Sequence, residues 1–211
     1  MSDTQISLGS LEWLNELFSL ILSWMSFVPI ALGVAVVTTF VSRRDLRTLL
    51  FLVGIVVNVV VNQVLKKIIN ESRPPESDRY GSGMPSNHSQ FMGFFSIYLI
   101  LLAYRGKVFD NGSSAPLWIS IGLILLTFGV GVSRVHTGHH TLEQVVVGAC
   151  LVGPIMAIVW WIADSRLRPL FVPLLSSRYA RALYLRDTSH IPNIYRFEYM
   201  NATSYRPPKN Q

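Results

Sequence analysis

Charged residues are scarce in this sequence, and cysteine occurs only once. Of its 211 residues 14% are charged, against roughly 25% in an average soluble domain, whereas 50% are hydrophobic. Because a fold of this size cannot bury so much apolar surface, we expect a lipid bilayer to be its solvent. The single cysteine, Cys150, excludes an internal disulfide framework and any multi-cysteine metal site. It lies in an apolar run, so we expect it to be a small buried hydrophobe.

The sequence also lacks the features of a nucleic-acid-binding protein or a secreted precursor. Its net charge is positive, with 18 Lys and Arg against 12 Asp and Glu. However, no basic helix and no alternation of aromatic and basic residues accompanies this charge, so nucleic acid is not expected as a partner. The N-terminus has no basic region followed by a cleavage site, so we expect no removable signal peptide.

Five apolar stretches predict an all-α polytopic bundle of about five transmembrane helices. Several are shorter than the roughly 20 residues that a span needs, so we expect polar residues at their ends to extend the helices. We expect a membrane-embedded domain over residues 1–163 and a cytosolic tail over residues 164–211. The apolar stretches are Leu17–Val41, Leu49–Leu65, Phe91–Tyr104, Leu117–Val132 and Val145–Ala163.

Basic residues are distributed unequally between the two sides of this bundle. If all five stretches span, thirteen Lys and Arg share the side of the C-terminal tail. The excess of basic residues marks the cytosolic side, which places the second and fourth connections outside the cell or in a lumen. The far side then holds five: Lys66, Lys67, Arg73, Arg79 and Arg134.

Two of the far-side cations have a spacing that suggests a joint role. Lys66 and Arg73 are seven residues apart, close to two helical turns, and Pro74 and Pro75 follow. We expect the second helix to continue to Arg73, so that both cations face one point just above the membrane. Ordinary snorkelling of these side chains to lipid headgroups is the alternative.

The start of the third helix is a second candidate for anion binding. Ser86 and Asn87 directly precede it, and His88 follows. A helix N-terminus presents free N–H groups that attract phosphate. Simple capping by Ser86 or Asn87 is the alternative, but capping does not account for His88.

The fourth connection contains three histidines within five residues, His136, His139 and His140. Imidazole is a common zinc ligand, so a metal site is one interpretation. However, Thr137 stands where an H-E-x-x-H motif would need glutamate, and the carboxylates on this side form no cage. We therefore predict no metal.

Taken together, these segments resemble the signature of the type 2 phosphatidic acid phosphatase superfamily, which also includes vanadium haloperoxidases. Further segments, among them Gly83-Met84-Pro85-Ser86, Arg186-Asp187-Thr188-Ser189 and Phe197-Glu198-Tyr199, are similar to its dolichyl-diphosphate phosphatase branch. The resemblance covers roughly residues 50–200. The signature segments are Lys66-x6-Arg73-Pro74, Pro85-Ser86-x-His88 and Ser133-Arg134-x5-His140.

The resemblance implies a role for each residue of the signature. His140 would attack phosphorus and form a phosphohistidine, and His88 would act as general acid and then general base. Lys66, Arg73 and Arg134 would clamp the phosphate oxygens, as arginine's planar fork allows. Ser86 and the N–H groups around Asn87 would hold a further oxygen. No metal and no cofactor is implied, since three cations stand in their place.

Two positions depart from the superfamily pattern. Asn87 replaces the usual glycine of the second motif, and Gln144 replaces the aspartate expected four residues after the nucleophile. On a helix both Gln144 and Glu143 come near His140, and we favour Gln144 as the residue that orients its ring. Being near a helix start also favours the neutral imidazole of His140.

The implied activity is removal of one phosphate from a polyprenyl (dolichyl) diphosphate in the lumen of the endoplasmic reticulum. This would recycle the carrier used in protein N-glycosylation, with the lipid tail left in the bilayer. A broader phosphatase for phosphatidate or short isoprenyl diphosphates is an alternative. A non-catalytic membrane scaffold is another, which the intact set of three cations and two histidines disfavours. The sequence does not indicate chain-length preference or oligomeric state.

Overall fold

The computed structural model describes residues 3–105, 109, 112–191 and 193–204. This part of the chain is helical, with no β-strand beyond one isolated bridge between Asp45 and Arg186. The predicted all-α fold is confirmed. Three of the basic residues counted above lie outside the described residues: Lys107, Arg206 and Lys209.

The first apolar stretch forms two helices instead of one. Helix α1 comprises Asp3–Met25 and α2 comprises Val28–Arg43. Pro29 has no N–H to bond the carbonyl of Met25, and its ring would clash with that carbonyl, so the helix is interrupted just before it. The two helices still form one apolar segment, Glu12–Arg43, that is long enough to span a membrane.

The other four stretches match helices whose polar ends extend them as predicted. The second and third belong to α3 (Leu46–Ile69) and α4 (Asn87–Arg105). The fourth belongs to α5 (Ala115–His136). The fifth begins with α6 (Leu142–Val146), continues through a π-helical turn (Val147–Val152) and ends in α7 (Gly153–Leu167).

Helix α3 ends earlier than the proline positions suggested. Its last residue is Ile69, and Asn70 adopts a left-handed conformation with φ of 47°. The N–H of Asn70 bonds the carbonyl of Lys66, which closes the last turn as a helix cap. The expectation that the helix reaches Arg73 is therefore wrong, and Arg73 lies in the connection that follows.

Helix α4 is the central helix of the bundle. Ten of its 19 residues are buried, and the ring of its Tyr98 stacks on Phe51 of α3 with centroids 4.5 Å apart. Four segments of the described chain are apolar and long enough to span a membrane. Helix α4 is not among them, because its first turn is polar, although it packs at the centre of the bundle.

Glycines bring α4 close to the π-helical turn and to the start of α7. A Cβ on Gly93 would lie 2.4 Å from the carbonyl oxygen of Ala149, and one on Gly153 would lie 2.6 Å from that of Gln90. Small residues allow this contact between membrane helices. Cys150, by contrast, is exposed on the outer surface of the bundle, so the prediction that it is buried is wrong. Its neighbours are apolar because that surface would face lipid instead of the core.

The tail packs against the connection between α2 and α3. Helix α7 continues past residue 163 to Leu167, so the expected domain boundary falls inside a helix. Asp45 Oδ1 accepts hydrogen bonds from the backbone N–H and hydroxyl of Thr188, at 3.0 and 2.7 Å. Arg43 pairs with Glu198 at 2.7 Å. The remaining helices are α8 (Phe171–Ser176), α9 (Arg178–Ala182) and α10 (Ile194–Ser204).

Candidate active site

A cleft of about 500 Å³ opens where α3 and α5 end and α4 begins. Among the described residues that line it are five cations and no carboxylate. Such a surface is suited to a ligand with several negative charges. A larger cavity of about 700 Å³ between α4, α5, α6 and the π-helical turn is lined mainly by apolar side chains, which do not suit a phosphate. The cations of the cleft are Lys66, Lys67, Arg73, Arg79 and Arg134.

The fold brings six of the eight predicted site residues to this cleft. The two that do not line it, Ser86 and Gln144, are fully buried behind it. The segments that carry the six are far apart in sequence, from the end of α3 to the start of α6. The six lining residues are Lys66, Arg73, Asn87, His88, Arg134 and His140.

Arg73 contacts the candidate nucleophile directly. Its Nη1 donates to the carbonyl oxygen of His139 at 3.0 Å and lies 3.2 Å from Nε2 of His140. Arginine has no acceptor, so Nε2 of His140 must accept this bond and carries no proton. Burial and the neighbouring Arg79 lower the pKa of Arg73 below its ordinary value.

Two guanidinium groups retain unused donors. Arg134 is 97% buried, since only 3% of its surface is exposed, and its Nη1 donates to Ser26 Oγ at 3.1 Å. In the part of the chain that the structure describes, Nε of Arg73 and Nε of Arg134 are buried without an acceptor. A buried N–H without an acceptor is unfavourable, so both guanidinium groups would be stabilised by a small movement that lets these donors reach an anion bound in the cleft.

His140 has a defined tautomer because both of its ring nitrogens have assigned partners. Nδ1 lies 3.0 Å from Oε1 of Gln144, an acceptor, so Nδ1 carries the proton and Nε2 faces the cleft. This is the contact that the sequence predicted for Gln144, whereas Glu143 is exposed to solvent. Burial, with the nearby cations, lowers the pKa of His140 from 6.5 to about 3, although the Gln144 hydrogen bond opposes the shift. The neutral imidazole is therefore favoured mainly by burial.

The other two histidines of the fourth connection contact residues outside the lining of the cleft. Nδ1 of His139 lies 2.7 Å from Thr137 Oγ1, and its Nε2 lies 3.5 Å from Asp78 Oδ1. Nε2 of His136 lies 3.1 Å from Ser19 Oγ. Across the described residues no three His, Cys, Asp or Glu side chains come together in a way that could hold a metal ion.

The start of α4 presents only part of its predicted set to the cleft. Asn87 and His88 form its first turn and line the cleft. Ser86 faces the interior, where its backbone N–H donates to the carbonyl of Gln144 at 3.0 Å and its hydroxyl accepts from Ser89 at 3.1 Å. The contacts of Ser86 thus join the start of α4 to α6, and only Asn87 and His88 of this segment line the cleft.

Sequence reasoning did not select three residues of the site. Lys67 and Arg79 line the cleft, and their position among the few far-side cations was the available signal. Glu71 accepts a hydrogen bond from Gln144 Nε2 at 2.8 Å. Nothing in the local sequence indicates that pairing, because 72 residues separate the two side chains along the chain.

Comparison with known proteins yields a family match and several similar chains. The model of the PAP2 superfamily matches residues 47–168, more than half of the chain. Dolichyldiphosphatase 1 of Homo sapiens is 38% identical over 197 residues, covering 88% of this chain and 82% of that protein. Dolichyldiphosphatase 1 of Dictyostelium discoideum is 34% identical over 192 residues, covering 89% and 83%.

Two further similarities come from a plant protein and a bacterial structure. Lipid phosphate phosphatase gamma of Arabidopsis thaliana is 37% identical over 194 residues, covering 88% of this chain and 84% of that protein. The crystal structure of a transmembrane PAP2 type phosphatidylglycerolphosphate phosphatase from Bacillus subtilis superposes with a TM-score of 0.57. It covers 74% of this chain and 78% of its own at 24% identity, so it supports the fold alone.

Proposed function

The chain belongs to the PAP2 superfamily, and on that premise we propose that it hydrolyses dolichyl (polyprenyl) diphosphate to the monophosphate and inorganic phosphate. The observation that carries this proposal is the surplus of positive charge in the cleft. Three cations suffice to clamp one phosphate, but the cleft holds five beside His140. A diphosphate has a second phosphate to occupy the remaining two, and relatives named dolichyldiphosphatase 1 support this substrate.

In the first step Nε2 of His140 attacks the terminal phosphorus. An N–P bond forms while the bond from phosphorus to the bridging oxygen breaks, and the lipid monophosphate leaves. His88 supplies a proton to the departing oxygen. In the empty cleft burial and the neighbouring Arg134 lower the pKa of His88 from 6.5 to about 4, so His88 takes up this proton when the bound anionic diphosphate offsets the charge of the cations. The Nδ1 proton of His140 stays hydrogen-bonded to Gln144, so the ring gains its positive charge while still oriented.

In the second step water hydrolyses the phosphohistidine. His88, now neutral, removes a proton from the water molecule while the water oxygen attacks phosphorus. The N–P bond breaks, inorganic phosphate leaves and His140 returns to its neutral form. Each residue therefore ends the cycle in the state in which it began.

The cations do different things during this cycle. In the empty cleft Arg73 donates to Nε2 of His140, which covers the lone pair that must attack. Phosphate oxygens are stronger acceptors than imidazole, so a bound substrate draws Arg73 onto phosphate and uncovers Nε2. Arg134 and Lys66 complete the clamp, with Asn87 and His88 at the helix start beside them.

We place the protein in the endoplasmic reticulum membrane as a multi-pass enzyme. Its cleft faces the lumen and its C-terminus the cytosol, as the distribution of basic residues favours. The fixed cations do the work that a metal ion would do elsewhere, so no metal is required. If the substrate is dolichyl diphosphate, the reaction recycles the lipid carrier that is used in protein N-glycosylation.

The alternative substrate class is a lipid with a single phosphate. The Arabidopsis relative, named a lipid phosphate phosphatase, favours it in part. The test is to compare kcat/KM of the purified protein for a long polyprenyl diphosphate and for phosphatidate. We expect a clear preference for the diphosphate, and Arg79→Ala with Lys67→Ala should reduce that preference. Equal or greater hydrolysis of phosphatidate would refute the proposal.

A further inference from the structure

The side-chain amide of Gln144 has four hydrogen-bond contacts in a fully buried position. Its Nε2 donates to Oε1 of Glu71 and to the carbonyl of Ser72, both at 2.8 Å. Its Oε1 accepts from Nδ1 of His140 at 3.0 Å and from the N–H of Thr141 at 3.4 Å. Both donor positions of the amide and both acceptor positions are occupied.

The partners decide which end of this amide faces His140. An amide has nearly the same shape when its oxygen and nitrogen are exchanged, so its neighbours must set the orientation. On one side stand two acceptors, a carboxylate and a carbonyl. If the amide were reversed, its oxygen would face the Glu71 carboxylate and its NH₂ would face the N–H groups of His140 and Thr141.

We infer that Glu71 is a positioning residue for His140, acting through the amide of Gln144; this rests on the proposed function, in which His140 is the nucleophile. Its carboxylate holds the amide so that oxygen meets Nδ1–H, which keeps Nε2 free of a proton and directed into the cleft. It also places a negative charge behind the neutral amide. That charge favours the positive ring that forms when His140 binds phosphorus.

The surroundings of Glu71 are built for this contact. The carbonyl of Glu71 accepts a hydrogen bond from the N–H of Gly83 at 2.7 Å, which ties the start of the connection between α3 and α4 to its end. A Cβ on Gly83 would lie 2.5 Å from Gln144 Oε1 and 2.6 Å from its Nε2. Only glycine therefore leaves room for the amide in its present place.

The experiment compares kcat and KM for polyprenyl diphosphate hydrolysis by Glu71→Gln, Glu71→Ala and a matched control. Glutamine at this position can still accept from Gln144 through its amide oxygen but carries no charge, whereas alanine does neither. We expect kcat to fall about 10-fold or more in Glu71→Ala, and less in Glu71→Gln, with KM little changed. Glu76→Gln removes an exposed carboxylate from the same connection and should behave as wild type.

A double variant separates positioning from a structural role. If Glu71 acts through Gln144, Glu71→Ala should cost nothing further in a Gln144→Leu background, whereas independent effects would multiply. Multiplying effects, or a Glu71→Ala protein with wild-type kcat, would overturn the inference. Failure of the wild-type protein to hydrolyse the diphosphate would instead refute the proposed function, so the two failures are distinguishable.

Discussion

Replacing Gln144 by leucine tests the chemistry of the site most directly. Leucine has a similar volume but removes the oxygen that accepts Nδ1–H of His140 at 3.0 Å. His140 is 97% buried, with 3% of its surface exposed, so water does not readily replace the lost acceptor. The ring loses the contact that fixes its tautomer and its direction.

The size of the effect follows from that lost contact. A buried donor left without an acceptor costs about 1–3 kcal/mol, and if the attacking state loses that amount the rate falls roughly 5- to 150-fold. We expect the loss in kcat, because the phosphate is held by the cations and not by Gln144. Thermal stability should fall as well, since Glu71 and Ser72 lose a donor at 2.8 Å.

The assay is release of inorganic phosphate from polyprenyl diphosphate by protein purified in detergent, with Glu143→Gln as the matched control. Glu143 is exposed one residue away, so its substitution should change kcat by less than about twofold. A Gln144→Leu enzyme with wild-type kcat would refute the reasoning. So would a Glu143→Gln enzyme that is the more damaged of the two.

Four further predictions follow from the same geometry. Activity should be unchanged in excess EDTA, and a loss that magnesium or zinc restores would contradict the metal-free mechanism. His140→Ala and His88→Ala should each lower turnover by orders of magnitude without unfolding the protein. His139→Ala should lower turnover only slightly, because the ring of His139 lies against Thr137 and Asp78. A larger loss of turnover in His139→Ala than in His140→Ala would identify a different nucleophile. Because the pKa of His140 is lowered to about 3, an NMR titration of the ligand-free protein should show its neutral Nδ1–H tautomer unchanged from about pH 8 to about pH 5, and a midpoint near the ordinary 6.5 would contradict this. With Cys150 replaced, a cysteine at the fully exposed position Tyr80 should react with a membrane-impermeant reagent only after the lumenal face is opened, and one at Ser177 from the cytosol; reaction of both from one side would refute the orientation.

Local sequence patterns were sufficient to predict the membrane environment, the helices and most of the residues of the candidate site. Hydropathy and the scarcity of charge required a bilayer, because apolar stretches of this length have no other place to be buried. The resemblance of three motifs to a known signature predicted the two histidines and the three cations that the fold brings to the cleft. These features are local, since each depends on a residue's type and its neighbours along the chain.

Some errors concern helix ends, where a single residue decides the outcome. Pro29 interrupts the first stretch, and α3, capped by Asn70, ends at Ile69, four residues before Arg73. Pro29 is visible in the sequence, but hydropathy averaged over the whole apolar stretch does not reveal the interruption that it causes. The signal at Asn70 is also local, because asparagine adopts the left-handed cap conformation more readily than most residues and Lys66 and Lys67 lie in the last turn, but the two prolines further along the chain suggested a later end.

Tertiary structure alone decided which polar groups meet behind the cleft. Ser86 turns inward because its N–H bonds the Gln144 carbonyl, although its motif position suggested contact with phosphate. Glu71 reaches Gln144 across 72 intervening residues, and Arg73 reaches His140 across 66. No periodicity encodes such pairs, because they arise when packed helices bring two connections to the same end of the bundle. The sequence therefore indicated most of the residues that line the cleft and the contact of Gln144 with His140, whereas only the fold showed that Glu71 and Arg73 contact these two residues.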